Sequence, residues 1–199
     1  MAALKITQPI ILEGETVRLE PLNESHVPGL TAVGIDQDIW RHMLYGEIRG
    51  ETDMARWVRS MLALAELGAD IPFAVIHRPS GRVAGATRYL EIRSAHLGIE
   101  IGGTWYGVDF RRTAVNTECK YLLLTHAFEV MGCIRVQFKT DVRNVRSQRA
   151  IERIGGVREG VLRNHLILPD GRRRDSVYYS VLDSEWTAVK LALKEKLQR

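Results

Sequence analysis

Between Gly102 and Glu129 the chain runs through Thr104-Trp105-Tyr106 and a basic turn at Arg111-Arg112, then into a long apolar stretch. The pattern predicts an extended segment, a turn, and a helix beginning near Thr117. Such a passage brings free backbone N–H groups and two guanidinium groups to one point, which makes an anion site. A strand-to-helix turn carrying arginines can also be purely structural. The rest of the chain has to decide between these readings.

The 199 residues suit one domain with a substantial core, and no Ser/Gly/Pro-rich linker divides them. A hydrophobic share of 45% and a charged share of 26% exclude general disorder. Apolar runs such as 72–76 fall far short of the roughly 20 residues that span a bilayer. The N-terminal residues lack the layout of a signal peptide, so a cytoplasmic location without membrane contact is expected. Cys119 and Cys133 have no partners at metal-ligand spacing and read as buried small hydrophobes. The six histidines are scattered, so no metal is expected.

Net charge is +4, from 28 basic and 24 acidic side chains, which is too mild to indicate nucleic acid. The arginines are unevenly placed, however. Arg111, Arg112, Arg143, Arg146, Arg149 and Arg153 fall in one half, and Arg172, Arg173 and Arg174 follow a turn. Each alone reads as a solvated side chain, while together they suit a polyanionic small ligand.

Alternation at 17–20 gives a first strand, and Asn23 caps a short helix through about Val33, with Pro28 inside it as a weak point. Further helices are expected at 36–43 and from Thr52 to Gly68. Strands follow at 73–76 and 83–90 across a Pro79-Ser80-Gly81 turn, and a third at 97–106. The helix after the basic turn buries Leu122, Leu123, Ala127 and Val130 and stops at Gly132. Then come a strand at 134–140, a helix at 144–154, strands at 161–168 and 176–182 across Pro169-Asp170-Gly171, and a last helix capped by Asp183 or Ser184. This order predicts an α+β fold, with a mixed, mostly antiparallel sheet of about seven strands and helices on both faces.

That order, with Glu100-Ile101-Gly102, Phe110-Arg111-Arg112, Thr117-Glu118, Ala127-Phe128-Glu129, Asn144, Ser147, the run 158–163, and Asp170-Gly171-Arg172 with Asp175, resembles the GCN5-related N-acetyltransferase (GNAT) superfamily in its RimJ/RimL branch. The resemblance covers about residues 10–190. It implies a V-shaped cleft between the fourth and fifth strands (97–106 and 134–140) that holds the pantetheine arm of acetyl-CoA, the cosubstrate. Backbone groups of Thr104, Trp105 and Tyr106 would bind the arm. Arg111, Arg112, Thr113, Ala114, Val115, Asn116 and Thr117 would wrap the pyrophosphate. Asn144 would bond the pantetheine, Ser147 would lie near the thiol, and Arg149 or Arg153 would meet nucleotide phosphates. Two bland readings stand beside these: Asn144 as a helix cap, and solvated arginines.

Two departures from the family pattern bear on the chemistry. Ala114 and Asn116 stand where the family's phosphate loop carries glycine-like residues, and about one extra residue separates Glu100 from Arg111. Ile151 stands where many relatives place a tyrosine acid. Glu100 is the first candidate for the base that deprotonates the amine, with a structural carboxylate as its other reading. The expected activity is acyl transfer, most simply acetyl, to a primary amine by direct attack. The alternative is a CoA-binding sensor or partner-binding module with little turnover. Trp40, Tyr45 and Trp57 would either shape the acceptor pocket or sit in the core, and a homodimer is common among relatives.

Overall fold

The computed structural model describes residues 3–6 and 9–198. Its strands are β1 (Leu12–Glu13), β2 (Val17–Pro21), β3 (Ile71–His77), β4 (Arg82–Arg93), β5 (Gly98–Tyr106), β6 (Arg135–Asp141), β7 (Val157–Ile167) and β8 (Arg173–Leu182). Its helices are α1 (Val27–Gly34), α2 (Gln37–Trp40), α3 (Glu51–Glu66), α4 (Ala114–Thr125), α5 (Val145–Arg153) and α6 (Asp183–Leu197). The strands form one sheet in the order β1-β2-β3-β4-β5-β6-β8-β7. Eight strands replace the expected seven because the two-residue β1 pairs with β2.

Every neighbouring pair is antiparallel except β5 with β6, which is parallel. A parallel pair needs a long crossover, and α4 supplies it. Strand alternation divides the interior. Phe73, Val75, Ile99, Ile101, Val136 and Tyr179 pack with Leu123, Ile151 and Leu193 on the face that α4, α5 and α6 cover. Ala74, Ala86 and Trp105 pack with Trp40, Met54 and Trp57 beneath α1 to α3. The three tryptophans are core residues, which decides one of the two readings left open by the sequence.

Pro28 lies in the first turn of α1, where an absent N–H takes nothing from the helix, so it is no weak point. The stretch before it is a short 3-10 turn in which the Asn23 side-chain Oδ1 accepts from Ser25 N–H at 2.9 Å. The last helix is closed by Glu185, whose carboxylate accepts from Leu182 N–H at 2.9 Å, and Asp183 is already helical. The helix expected from Thr117 begins three residues earlier, at Ala114, because Thr113 caps it. Val130 is exposed rather than buried. A π-turn over His126–Val130 rotates the helical face by the extra residue it holds, so that Met131 enters the core instead.

Glu118 ties α4 to the turn between β1 and β2. Its buried carboxylate accepts from the backbone N–H groups of Glu15 at 2.9 Å, Thr16 at 2.7 Å and Val17 at 2.6 Å. Truncation leaves three donors without their ionic acceptor, although solvent reaches two of them. Glu118→Ala is therefore expected to lose about 2 kcal/mol of stability, read as the midpoint shift in urea unfolding.

Candidate active site

β5 and β6 pair only at Gly98–Arg135, Ile99–Val136 and Glu100–Gln137. Beyond Glu100 the strands part, and among the described residues no strand pairs with β5 on that side from Ile101 to Tyr106. A bulge sits at the parting: Arg88 opposes Gly102 and Ala86 opposes Trp105, so three steps along β5 answer two along β4. This accommodates an additional residue between Glu100 and the basic turn. Gly103 takes φ +58°, and a Cβ there would lie 2.9 Å from Arg88 Nε.

Glu100 is at the apex of the opening and only 2% exposed. Its Oε2 accepts from Gln137 Nε2 at 2.8 Å and faces Lys139 Nζ at 3.4 Å. Burial raises its carboxyl above the usual range, and the Lys139 ammonium and the Gln137 amide draw it part of the way back. Gln137 is itself held by Arg93 at 2.8 Å. On the same face, Tyr178 stands opposite Lys139, and its ring carries the ammonium at 5.8 Å. Sequence alternation put Gln137 and Lys139 on the face away from the core, but nothing in it signalled that they would enclose Glu100.

The side chains of Trp105 and Tyr106 belong to the core, which leaves their backbone groups for the cleft. The Thr104 hydroxyl is 2.7 Å from that of Thr87 and accepts from Lys120 Nζ at 2.6 Å. Lys120 is a buried amine that the sequence reading did not single out.

Past β5, Arg111 does not point outward. Its Nε donates to Tyr106 O at 3.1 Å and its guanidinium meets Asp36 at 2.9 Å. Arg112 is exposed and in the left-handed region at φ +61°. The position that asks for glycine is thus Arg112. Ala114 and Asn116 lie inside α4, where ordinary helical backbone suits them, so the loop departs from the family pattern at a different residue from the one expected. Arg112→Gly is expected to raise stability by about 1 kcal/mol by relieving this conformation, measurable as a rise in Tm.

Thr113 Oγ1 accepts from Val115 N–H at 3.3 Å as the cap of α4, while the N–H groups of Ala114 and Asn116 have no helical acceptor. Val115 is buried, and Thr117 is buried with its hydroxyl bonded to Arg153 at 2.9 Å. Arg153 therefore ties α5 to α4 rather than reaching outward. Arg149 is exposed, and Arg146 pairs with Asp38 at 2.8 Å.

At the head of α5, Asn144 Oδ1 accepts from Ser147 N–H at 3.0 Å, so Asn144 does cap its helix. Its amide nitrogen has no protein acceptor among the described residues. Ser147 is half-buried, and Ile151 is in the core, where it offers no acid.

The domain description "Acetyltransferase (GNAT) domain" matches residues 16–157. YdaF of Bacillus subtilis (strain 168), a candidate ribosomal N-acetyltransferase, is 30% identical over 140 residues, which is 70% of this chain and 72% of YdaF. A crystal structure of a GCN5-related N-acetyltransferase from Brucella melitensis superposes with a TM-score of 0.92 at 32% identity, over 99% of this chain and 89% of that one. RimJ of Mycobacterium smegmatis, solved in complex with CoA-disulfide, shares the fold at a TM-score of 0.80 and 18% identity, over 95% of each chain. With a sheet that parts at Glu100, a capped helix after its basic turn, and this family match over most of its length, the chain belongs to the GNAT family of N-acetyltransferases.

Proposed function

We propose that the protein transfers acetyl from acetyl-CoA to a primary amine, either an N-terminal α-amine of a protein or the amine of a small molecule. The observation that carries this reading is the open edge of β5 beyond a buried carboxylate of raised pKa. A pantetheine arm suits that edge because it can bond to unpaired strand backbone as another strand would. The free N–H groups at the head of α4, with Arg112 beside them, suit a pyrophosphate. When bound, acetyl-CoA would supply a carbonyl activated as a thioester: attack by the amine would form the C–N bond as the C–S bond breaks, with CoA leaving as the thiolate and taking its proton from solvent.

Glu100 takes the proton that the amine loses, directly or through water. Lys139 and Gln137 hold its carboxylate in place and offset part of the upward shift that burial imposes. The site offers no other well-placed base, and this favours acceptors that are already partly neutral. An α-amine near pKa 7.8 is more than a tenth neutral at pH 7, against about one part in a few thousand for a lysine amine near 10.4. Likeness to YdaF, described as a candidate ribosomal N-acetyltransferase, supports a protein amine among the acceptors.

The test is CoA-thiol release from acetyl-CoA with α-amino peptides, lysine peptides, polyamines and aminoglycosides as acceptors. Saturable turnover that is fastest with α-amines is the expected result, and tight CoA binding without turnover of any acceptor would overturn the proposal. Asn144→Asp separates the two uses of that side chain. The capping oxygen is kept and the amide donors are lost, so Tm is expected to hold while KM for acetyl-CoA rises roughly tenfold.

A further inference from the structure

The face of the sheet that carries Glu100 continues across β6 and β8. Gln137, Lys139 and Asp141 alternate along β6 and oppose Ser180, Tyr178 and Ser176 of β8, and Arg174 follows on the same face two residues beyond the last of these pairs. On this face Arg174 stands out. It is 7% exposed, yet among the described residues no carboxylate lies within ion-pair distance of it. Its Nε donates to Ser176 Oγ at 3.2 Å and one amino nitrogen donates to the His42 carbonyl at 3.1 Å. A guanidinium has five N–H donors, so most remain unused.

The anions around it are already occupied. Asp141, 1% exposed, accepts from Arg143 N–H at 2.8 Å and faces both His42 and Arg172 at 3.4 Å. Glu100 is held by Gln137 and Lys139. Both carboxylates act on Arg174 only through space, and burial dominates, lowering its hold on its proton. A buried cation without a counter-ion is costly for a fold to keep unless something binds there. The neighbouring strand offers room: His165, whose Nδ1 is 3.0 Å from the Ser176 hydroxyl, is one of the β7 residues, Val161 to His165, that line an open hollow of about 770 Å³.

We propose that Arg174 is the anchor for an anionic group on the acceptor, so that the preferred substrate is a primary amine with a carboxylate a few bonds from its nitrogen. The amine lies towards Glu100 and the carboxylate lies on the Arg174 guanidinium, with Ser176 and Tyr178 between them. This rests on the transferase reading above and narrows it. A free acidic amino acid and a peptide that begins with an acidic residue both supply this chemistry.

The test compares matched acceptors in the thiol-release assay, each with its α-carboxyl capped: L-glutamic acid α-amide against L-glutamine α-amide, and Asp-Ala-Ala-amide against Asn-Ala-Ala-amide. Wild-type protein is expected to prefer the acid of at least one pair by roughly tenfold or more in kcat/KM, the size of a charge-assisted hydrogen bond. A preference in the first pair alone identifies the small acid, and in the second alone the peptide terminus. Arg174→Gln should bring the ratio near unity while the neutral acceptor keeps its rate. Arg174→Lys, which keeps the charge and loses the fork, should fall between the two.

In parallel, calorimetry with the N-acetylated forms of the same four compounds reads binding without turnover. The acetylated acid should bind wild type at least about tenfold more tightly than its amide, and lose that advantage in Arg174→Gln. Equal wild-type affinity for acid and amide, or an equal loss of both in the variant, overturns the anion anchor. Absence of turnover with a retained binding difference would instead overturn the transferase reading and leave the anchor standing. Thermal melts of both variants show whether a loss reflects unfolding.

Discussion

Glu100→Gln is expected to lower kcat by about a hundredfold or more, the usual contribution of a positioned general base, with acetyl-CoA affinity unchanged. The substitution keeps the shape and an acceptor for Gln137, and removes the group that can take a proton together with the charge that faces Lys139. Burial holds the carboxyl above its ordinary range, so the wild-type rate should climb as pH rises through that raised value and the carboxylate forms. The part of the acid limb that belongs to Glu100 should vanish in the variant, leaving the rise set by deprotonation of the amine acceptor. A glutamine variant that retains wild-type kcat and the same acid limb would return Glu100 to the structural role, paired with Lys139, that the sequence also allowed.

Lys120→Met is expected to change how stability depends on pH. The ammonium of Lys120 is buried between α4 and the sheet, bonded to Thr104 at 2.6 Å and lying 3.4 Å from Thr87, with no carboxylate in ion-pair distance among the described residues. Burial pulls this amine down to about 8 from an ordinary value near 10.5. Between those two values the unfolded chain holds the proton and the folded chain does not, so the contribution of Lys120 to unfolding free energy rises with pH across that window. Below about pH 8 both states are protonated and the burial penalty is fully present, on the order of 3 kcal/mol.

Methionine fills the same volume, and the Thr87 and Thr104 hydroxyls, 2.7 Å apart, can satisfy each other. The variant should therefore be more stable than wild type at pH 7, with the gap closing towards pH 10.5. Urea midpoints at several pH values measure this. Stability curves that stay parallel through the window would mean that the amine keeps its ordinary pKa in the fold.

Much of the fold was legible because turns and alternation are local. Pro79-Ser80-Gly81 and Pro169-Asp170-Gly171 fixed two hairpins, and Gly171 takes φ +80° at the second. Val136 and Phe138 against Gln137 and Lys139 named the two faces of β6 correctly. Helix boundaries were less legible. Thr113 was read as part of a loop because a threonine is equally at home in a turn and at a cap, and its hydrogen bond to Val115 decides between them. The π-turn that turns Val130 outward has no sequence signature at all.

The site divides along the same line. Family spacing located Glu100, the basic turn and Asn144, since these sit at the ends of regular elements whose order is written in the chain. Which arginines are free could not be read, because a guanidinium at the end of a long side chain is claimed by whatever carboxylate, hydroxyl or carbonyl the fold brings near. Arg111 is held by Asp36, 75 residues away, and Arg153 by Thr117, 36 residues away. Arg174 was one of three similar letters after a turn, and only the fold buries it, with no carboxylate in ion-pair distance among the described residues. The sequence by itself determined the order of elements and the basic turn, which follow from local periodicity and turn chemistry, while the parting of the strands was implied by the family resemblance. Tertiary structure alone decided which charges are buried and which are paired, because desolvation and ion pairing depend on residues far apart in the chain that meet only once the sheet has formed.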